Sequence, residues 1–171
     1  MTPFAKLFTA LVFMLLPFMA KAQTTNYQVH SLFVVNIAKY STWPTASQEF
    51  QITVFGKSKI FDELVKQTAG KHINGLPIKV TQTDNITEVG APRIIYLADG
   101  KSSSLDDIMK VTEGKSILLI AEREGLFKKG AGFSFVILDN NTLRYDINGG
   151  EIEKRQIKVS KNLTSLANTV M

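Results

Sequence analysis

Two short, almost wholly apolar segments constrain the fold of this chain more than any other feature. Residues 93–98 read RIIYLA, and residues 116–121 read SILLIA. Such runs without polar alternation are typical of strands buried on both faces of a sheet. A helical pattern around Leu105 and Ile108 lies between them. Because a strand–helix–strand sequence forms a right-handed crossover, these segments predict two parallel strands at the centre of a sheet.

Further helices and strands are predicted before this unit. Apolar spacing of three and four residues favours a helix over residues 27–40, which Trp43-Pro44 should end. Alternation predicts a strand over residues 50–55, and Ser58 is a suitable N-cap for the helix that follows. A short strand over residues 76–80 completes this part of the chain.

The pattern changes in the last quarter of the sequence. Strands over residues 133–138 and 143–147 are separated by Asp139-Asn140-Asn141-Thr142, which is a hairpin signal. After them Ser160 can cap a helix that carries Leu163, Leu166, Ala167 and Val170 on one face. The sequence therefore predicts a single α/β domain of three layers. Its sheet is mixed and mostly parallel, is flanked by helices, and ends in a late antiparallel hairpin.

The first 22 residues have the layout of a secretory signal peptide. Lys6 precedes an apolar run over residues 7–19, and Ala20-Lys21-Ala22 places small residues where a signal peptidase reads them. The apolar run is short for a membrane-spanning helix, although an uncleaved anchor stays open. We expect cleavage after Ala22, a mature domain of residues 23–171, and a periplasmic or otherwise extracytoplasmic location.

Composition and motifs exclude several classes of function. The chain has no cysteine, and its net charge of +5 is spread along the sequence without a basic stripe, which argues against nucleic-acid binding. Gly56-Lys57-Ser58 lacks the earlier glycine of a P-loop. The two histidines, His30 and His72, are expected to be exposed residues rather than metal ligands, and the charges around Glu122 to be solvated. We therefore expect no enzymatic activity, no metal and no cofactor.

Three residues allow both a structural and a functional reading. Asn36 lies on an otherwise apolar helix face, where it is either a buried amide that caps a neighbouring element or a polar contact in a pocket. Trp43 is the single tryptophan and is expected to be a mostly buried core anchor, or else a stacking wall for a ligand or partner. Arg144 lies mid-strand and is expected to pair with Asp146 or another carboxylate, or else to recognise an anion.

Several segments, in this order, resemble the YfiR family, also called the DUF4154 domain. Residues 33–44 read FVVNIAKYSTWP and residues 141–148 read NTLRYDIN, which are the two most specific pieces. Residues 130–135 (GAGFSF) and 159–167 (VSKNLTSLA) support them. The resemblance covers essentially the whole chain after residue 22. It implies a periplasmic, non-catalytic regulator that binds a membrane-bound signalling protein, such as a diguanylate cyclase or a histidine kinase.

Two hypotheses of function follow, and the family resemblance favours the first. The chain is a signalling adaptor that regulates a membrane receptor, with Asn36, Tyr40, Trp43 and Arg144 as candidate contact residues; the family also implies a possible homodimer. Disulfide-based redox control, known in the family, is impossible in a chain without cysteine. Alternatively, the chain is a module that binds a small molecule beyond the carboxyl ends of its strands. The candidate residues there are Lys57, Asp99 and Arg123.

Overall fold

A computed structural model describes residues 26–171 of the chain. The predicted signal peptide and the predicted cleavage after Ala22 lie outside these residues. In the described part of the chain, no helix is both long and apolar enough to span a membrane.

Eight strands of the described residues form one mixed sheet. With strands numbered in chain order, they are β2 Phe50–Phe55, β3 His72–Ile73, β4 Leu76–Thr83, β5 Ile94–Leu97, β6 Leu118–Ala121, β7 Phe133–Ile137, β8 Leu143–Ile147 and β10 Thr169–Val170. Their order in the sheet is β10-β8-β7-β6-β5-β2-β4-β3. Neighbours pair in parallel except at β3–β4 and β7–β8, which are antiparallel. The mostly parallel sheet with a late antiparallel hairpin confirms the predicted fold class.

A separate two-stranded ladder joins an early segment of the described chain to a late one. β1 (Ser41–Thr42) pairs antiparallel with β9 (Lys158–Val159), and Ser41 lies opposite Val159. The backbone N–H of Ser160 also donates to the carbonyl of Tyr40 at 2.9 Å. We call this ladder the β1–β9 clasp, because it ties the exit of the first helix to the C-terminal segment.

Within residues 26–171, five α-helices pack around the sheet. They are α1 Tyr27–Lys39, α2 Ile60–Thr68, α3 Leu105–Val111, α4 Gly149–Lys154 and α5 Lys161–Leu166. Side-chain oxygens cap three of them, since Asn26, Asn148 and Ser160 accept a hydrogen bond from the first turn of α1, α4 and α5 respectively. The predicted capping role of Ser160 is therefore confirmed.

The central strands are buried on both faces, as their apolar sequences predict. Ile94 and Tyr96 of β5 point into one core, which α1 and α2 cover. Ile95 and Leu97 point into a second core, which contains Leu105 of α3. The alternating burial of one strand into two cores produces the three layers of the domain.

Burial of one arginine secures the turn that follows α3. The Nη1 atom of Arg155 donates to the carbonyl oxygens of Thr112 and Ile117, both at 3.3 Å, and its Nε donates to Glu151 at 3.2 Å. These contacts satisfy loop carbonyls and a guanidinium that would be costly to bury alone.

The predicted strands at residues 50–55 and 143–147 match to the residue, and α1 begins at Tyr27 as expected. The predicted C-terminal helix is wrong beyond Leu166. Residues Thr169–Val170 instead form β10, because the N–H of Met171 donates to the carbonyl of Ile147 and continues the sheet. Val170 therefore does not share a helical face with Leu163, and Leu166 is exposed rather than packed.

Candidate functional sites

The structure distributes the predicted site residues over three regions. Asn36 and Tyr40 line a groove between α1 and α5. Asp99 and Arg123 lie together beyond the carboxyl ends of the central strands. Trp43 lies at the opposite, amino-terminal edge of the sheet. The predicted residues therefore do not form one site.

The first region, which we call the α1–α5 groove, has a volume of about 340 Å³. Its walls are residues of α1, α5 and strand β8, namely Phe33, Asn36, Tyr40, Tyr145, Asn162, Leu163, Ser165 and Leu166. Two large side chains at the groove are about half exposed to solvent, since Tyr40 is 50% exposed and Leu166 is 54% exposed. At its base the hydroxyl of Tyr145 donates to the carbonyl of Leu163 at 2.8 Å, which fixes α5 against the sheet.

Two expectations for this region need correction. Asn36 is exposed at the groove and is not a buried capping amide. Arg144 does not pair with Asp146, because Asp146 is buried and accepts a hydrogen bond from Asn168 at 2.8 Å. Within the described residues, Arg144 has one long hydrogen bond of 3.5 Å, to the carbonyl of Leu166, and it is partly exposed. Water can solvate its charge, so no carboxylate partner is required.

The second region, the carboxyl-edge cavity, also measures about 340 Å³. Asp99 follows β5 and Arg123 follows β6, and parallel strands bring both to the same edge. The Nε of Arg123 lies 2.7 Å from Oδ1 of Asp99. The hydrogen bond from Arg123 to this carboxylate raises the pKa of the guanidinium. The two predicted residues therefore form an exposed ion pair at the mouth of the cavity.

Glu122 connects this ion pair to α1, although its charge was expected to be solvated. Its Oε1 accepts a hydrogen bond from the Tyr27 hydroxyl at 3.0 Å, and its Oε2 accepts one from the backbone N–H of Asp99 at 3.2 Å. The signal for this role is its place directly after the buried strand β6. The carboxyl ends of parallel neighbours lie at the same edge of the sheet, which places Glu122 close to Asp99.

His30 forms the inner wall of the same cavity, and the expectation that it is exposed is wrong. It is 3% exposed, its Nδ1 lies 3.2 Å from the hydroxyl of Tyr96, and its ring packs on Phe135 at 4.5 Å. Desolvation lowers the pKa of His30 to about 4. Burial, followed by the charge of Glu122, raises the pKa of Tyr96 well above its usual range. Both groups are therefore neutral at neutral pH.

Two other expectations, one for Lys57 and one for the second histidine, have different outcomes. Lys57 follows β2 at the same edge, but it is exposed and is not among the residues that line the carboxyl-edge cavity. His72 is exposed on β3, as expected. No group of three or more histidine, aspartate or glutamate side chains among residues 26–171 is arranged to hold a metal ion.

Trp43 occupies the third region, at the amino ends of β2, β4 and β5. Its indole packs edge-on against the buried ring of Phe50, with ring centroids 5.1 Å apart. The residue is mostly buried, as expected for a core anchor, and its Nε1 is buried without a hydrogen-bond partner among the described residues. Trp43 is at once a core contact and a wall of a cavity of about 410 Å³.

The sequence of residues 27–168 matches the YfiR/HmsC-like family, which covers all three regions. The chain belongs to this family. In general the family is regulatory, non-catalytic and periplasmic. This match confirms the resemblance drawn from the FVVNIAKYSTWP and NTLRYDIN segments.

Solved structures are similar to this chain in fold. A conserved domain protein from Vibrio cholerae O1 biovar El Tor is 12% identical with a TM-score of 0.59, and the match covers 86% of this chain and 60% of that one. The ABC domain in complex with L-Trp from Streptococcus pneumoniae is 10% identical with a TM-score of 0.56, with 85% and 60% covered. The chain thus matches about three fifths of each of these proteins. No curated protein matches.

Proposed function

We propose that this protein is an exported, non-enzymatic adaptor that binds the extracytoplasmic part of a membrane-bound signalling receptor and regulates its output. Membership of a regulatory periplasmic family supports this function. The signal-peptide layout of the first 22 residues supports export. The receptor classes that fit are a diguanylate cyclase and a histidine kinase.

The α1–α5 groove carries the proposal for the docking surface. Tyr40 and Leu166 hold about half of their surface open to solvent beside apolar walls. Aromatic and aliphatic side chains that protrude beside a pocket are typical anchors of protein interfaces. The polar side chains of Asn36 and Ser165 line the same groove, and they can pair with backbone groups of an incoming segment. We assign the groove to an apolar segment of the receptor.

The test is site-specific photocrosslinking in cells. A photoreactive residue is placed at Tyr40, and the matched control is Val111 of α3, which is also exposed, at 41%. We expect a crosslink from position 40, and not from position 111, to a membrane protein that carries a signalling output domain. Binding of its purified extracytoplasmic part should weaken at least about tenfold in Leu166→Ser.

Other outcomes contradict the proposal. Equal crosslinking from positions 40 and 111 would remove the groove as the docking surface. Crosslinks from position 40 only to a second copy of this chain would assign the groove to a homodimer. Unchanged receptor output in cells that lack this protein would reject the regulatory function itself.

A second candidate function is small-molecule binding in the carboxyl-edge cavity. The observation that favours it is the juxtaposition of Tyr27, Asp99, Glu122 and Arg123 beyond the ends of parallel strands, where open α/β sheets bind ligands. The similar Streptococcus pneumoniae domain is described in complex with L-Trp. Thermal shifts with amino acids and nucleotides, compared between wild type and Glu122→Gln, test this function. A shift that Glu122→Gln leaves unchanged would reject this cavity.

A further inference from the structure

The cavity beside Trp43, which we call the Trp43 cavity, lies at the edge of the sheet opposite to the carboxyl-edge cavity. Three parallel strands contribute to it at their amino ends, through Phe50 of β2, Leu76 of β4 and Arg93 immediately before β5. Its volume of about 410 Å³ lies within the range of small-molecule sites. The segment after β1 covers it with Trp43 and Thr45.

Arg93 gives this cavity an uncompensated positive charge. The side chain is 9% exposed, and its Nη1 donates to the Thr45 hydroxyl at 2.8 Å while its Nη2 donates to the Thr45 carbonyl. Both acceptors belong to neutral groups. None of the described residues that line the cavity carries a carboxylate, and none of the ion pairs found in residues 26–171 includes Arg93. Desolvation lowers the pKa of Arg93, and no carboxylate raises it again.

A buried guanidinium without a counter-ion is costly, and an anion bound beside it would remove much of that cost. A guanidinium has five N–H donors, and Thr45 occupies two of them. The remaining donors can form the short, charge-assisted hydrogen bonds that arginine makes with carboxylates. Arg155, the other deeply buried arginine of the described chain, has its carboxylate in Glu151, so it does not need such a ligand.

The walls of the cavity indicate that the anion has an apolar body. Trp43 and Leu76 are partly exposed at the cavity, the buried ring of Phe50 packs behind Trp43, and Asn74 adds a polar amide. An inorganic anion would leave these walls in contact with water, whereas a planar organic acid would cover them. We propose that the Trp43 cavity binds a small monocarboxylate with an aromatic or branched apolar body, with its carboxylate on Arg93 and its body against Trp43.

The single tryptophan makes the test direct, because all tryptophan fluorescence of the protein comes from Trp43. Emission is followed during titration with sodium benzoate, with benzamide as the neutral analogue of the same shape. Sodium chloride and sodium phosphate at equal ionic strength serve as ionic controls. We expect a saturable change with benzoate, with half-saturation at about 1 mM or below. Benzamide should require at least about tenfold more.

Variants show which residue is responsible for the fluorescence response to benzoate. Arg93→Gln should raise the half-saturating benzoate concentration at least about tenfold, because the charge-assisted bonds are lost. Arg93→Lys should recover only part of the affinity, since it lacks the planar fork. Lys66→Gln, an exposed cation of α2 that lines none of the cavities described above, is the matched control and should bind benzoate as wild type does. Circular dichroism of each variant verifies its fold.

The comparison of benzoate with benzamide in the wild-type protein needs no variant, so it stands even if Arg93→Gln fails to fold. Equal responses to the two compounds, or no saturable response to benzoate up to tens of millimolar, would overturn the proposal. A response to phosphate at the same concentrations as benzoate would also overturn it, by showing a simple anion site. An effect of Lys66→Gln equal to that of Arg93→Gln would also overturn it, by showing that benzoate responds to the net charge of the protein and not to Arg93.

Discussion

Burial of His30 predicts a loss of stability in mild acid. In the unfolded chain its pKa has the ordinary value of 6.5, whereas in the folded protein desolvation lowers the pKa to about 4. Between these values the unfolded state binds a proton that the folded state does not. The free energy of unfolding therefore falls as the pH is lowered through 6.5, and the contribution of His30 levels off below about pH 4.

The magnitude follows from the difference between the two pKa values. Each unit corresponds to about 1.4 kcal/mol, so the full cost is about 3 kcal/mol at pH 4 and below. At pH 5 the cost is about 2 kcal/mol, and at pH 6 it is about 0.8 kcal/mol. These are large fractions of the stability of a domain of this size.

The assay is urea unfolding of wild type and His30→Gln at pH 7.5, 6, 5 and 4.5. Carboxylates titrate in both proteins, so the difference in slope isolates His30. We expect wild type to lose about 2 kcal/mol more than His30→Gln between pH 7.5 and pH 5. The matched control is His72→Gln, because His72 is exposed. Parallel pH profiles for wild type and His30→Gln would refute the argument that His30 stays neutral when buried.

Three further substitutions test the packing. Arg155→Ala should lower the free energy of unfolding by about 3 kcal/mol, because it leaves buried acceptors unpaired, and urea unfolding would measure the loss. Gly130→Ala should lower the melting temperature, since Gly130 has φ +111° and a Cβ there would overlap Met109; Gly100→Ala, which has open space, is the control. Arg144→Lys should change stability by less than about 0.5 kcal/mol in chemical denaturation, and a larger loss would show a structural partner.

The central sheet could be predicted from sequence because its signal is local. Residues 93–98 and 116–121 are apolar at nearly every position, and the helix pattern between them leaves only one connection that packs. The short elements could not be predicted in this way. β1, β9 and β10 have two residues each, and they are strands only because a partner distant in sequence offers hydrogen bonds.

The candidate sites also contain some features that have a local sequence signal and others that depend on residues distant in sequence. Asp99 and Arg123 could be placed together because the ends of parallel strands converge. The burial of His30 could not be foreseen, since it depends on the hydroxyl of Tyr96 and the ring of Phe135, which come from two later strands. Similarly, a lone arginine at position 93 gives no local sign that the segment around Thr45 will cover it.

The β1–β9 clasp has a consequence for the order in which the chain assembles. It joins Ser41 to Val159, and so closes a loop that contains the whole eight-stranded sheet except β10. Closing a loop of this length costs chain entropy, and the few hydrogen bonds of a two-residue ladder offset little of that cost. The clasp should therefore form after the sheet, and it should open before the sheet does. Amide hydrogen exchange would then show early deuteration of the β1–β9 clasp, while the backbone amides of the strands within the loop stay protected.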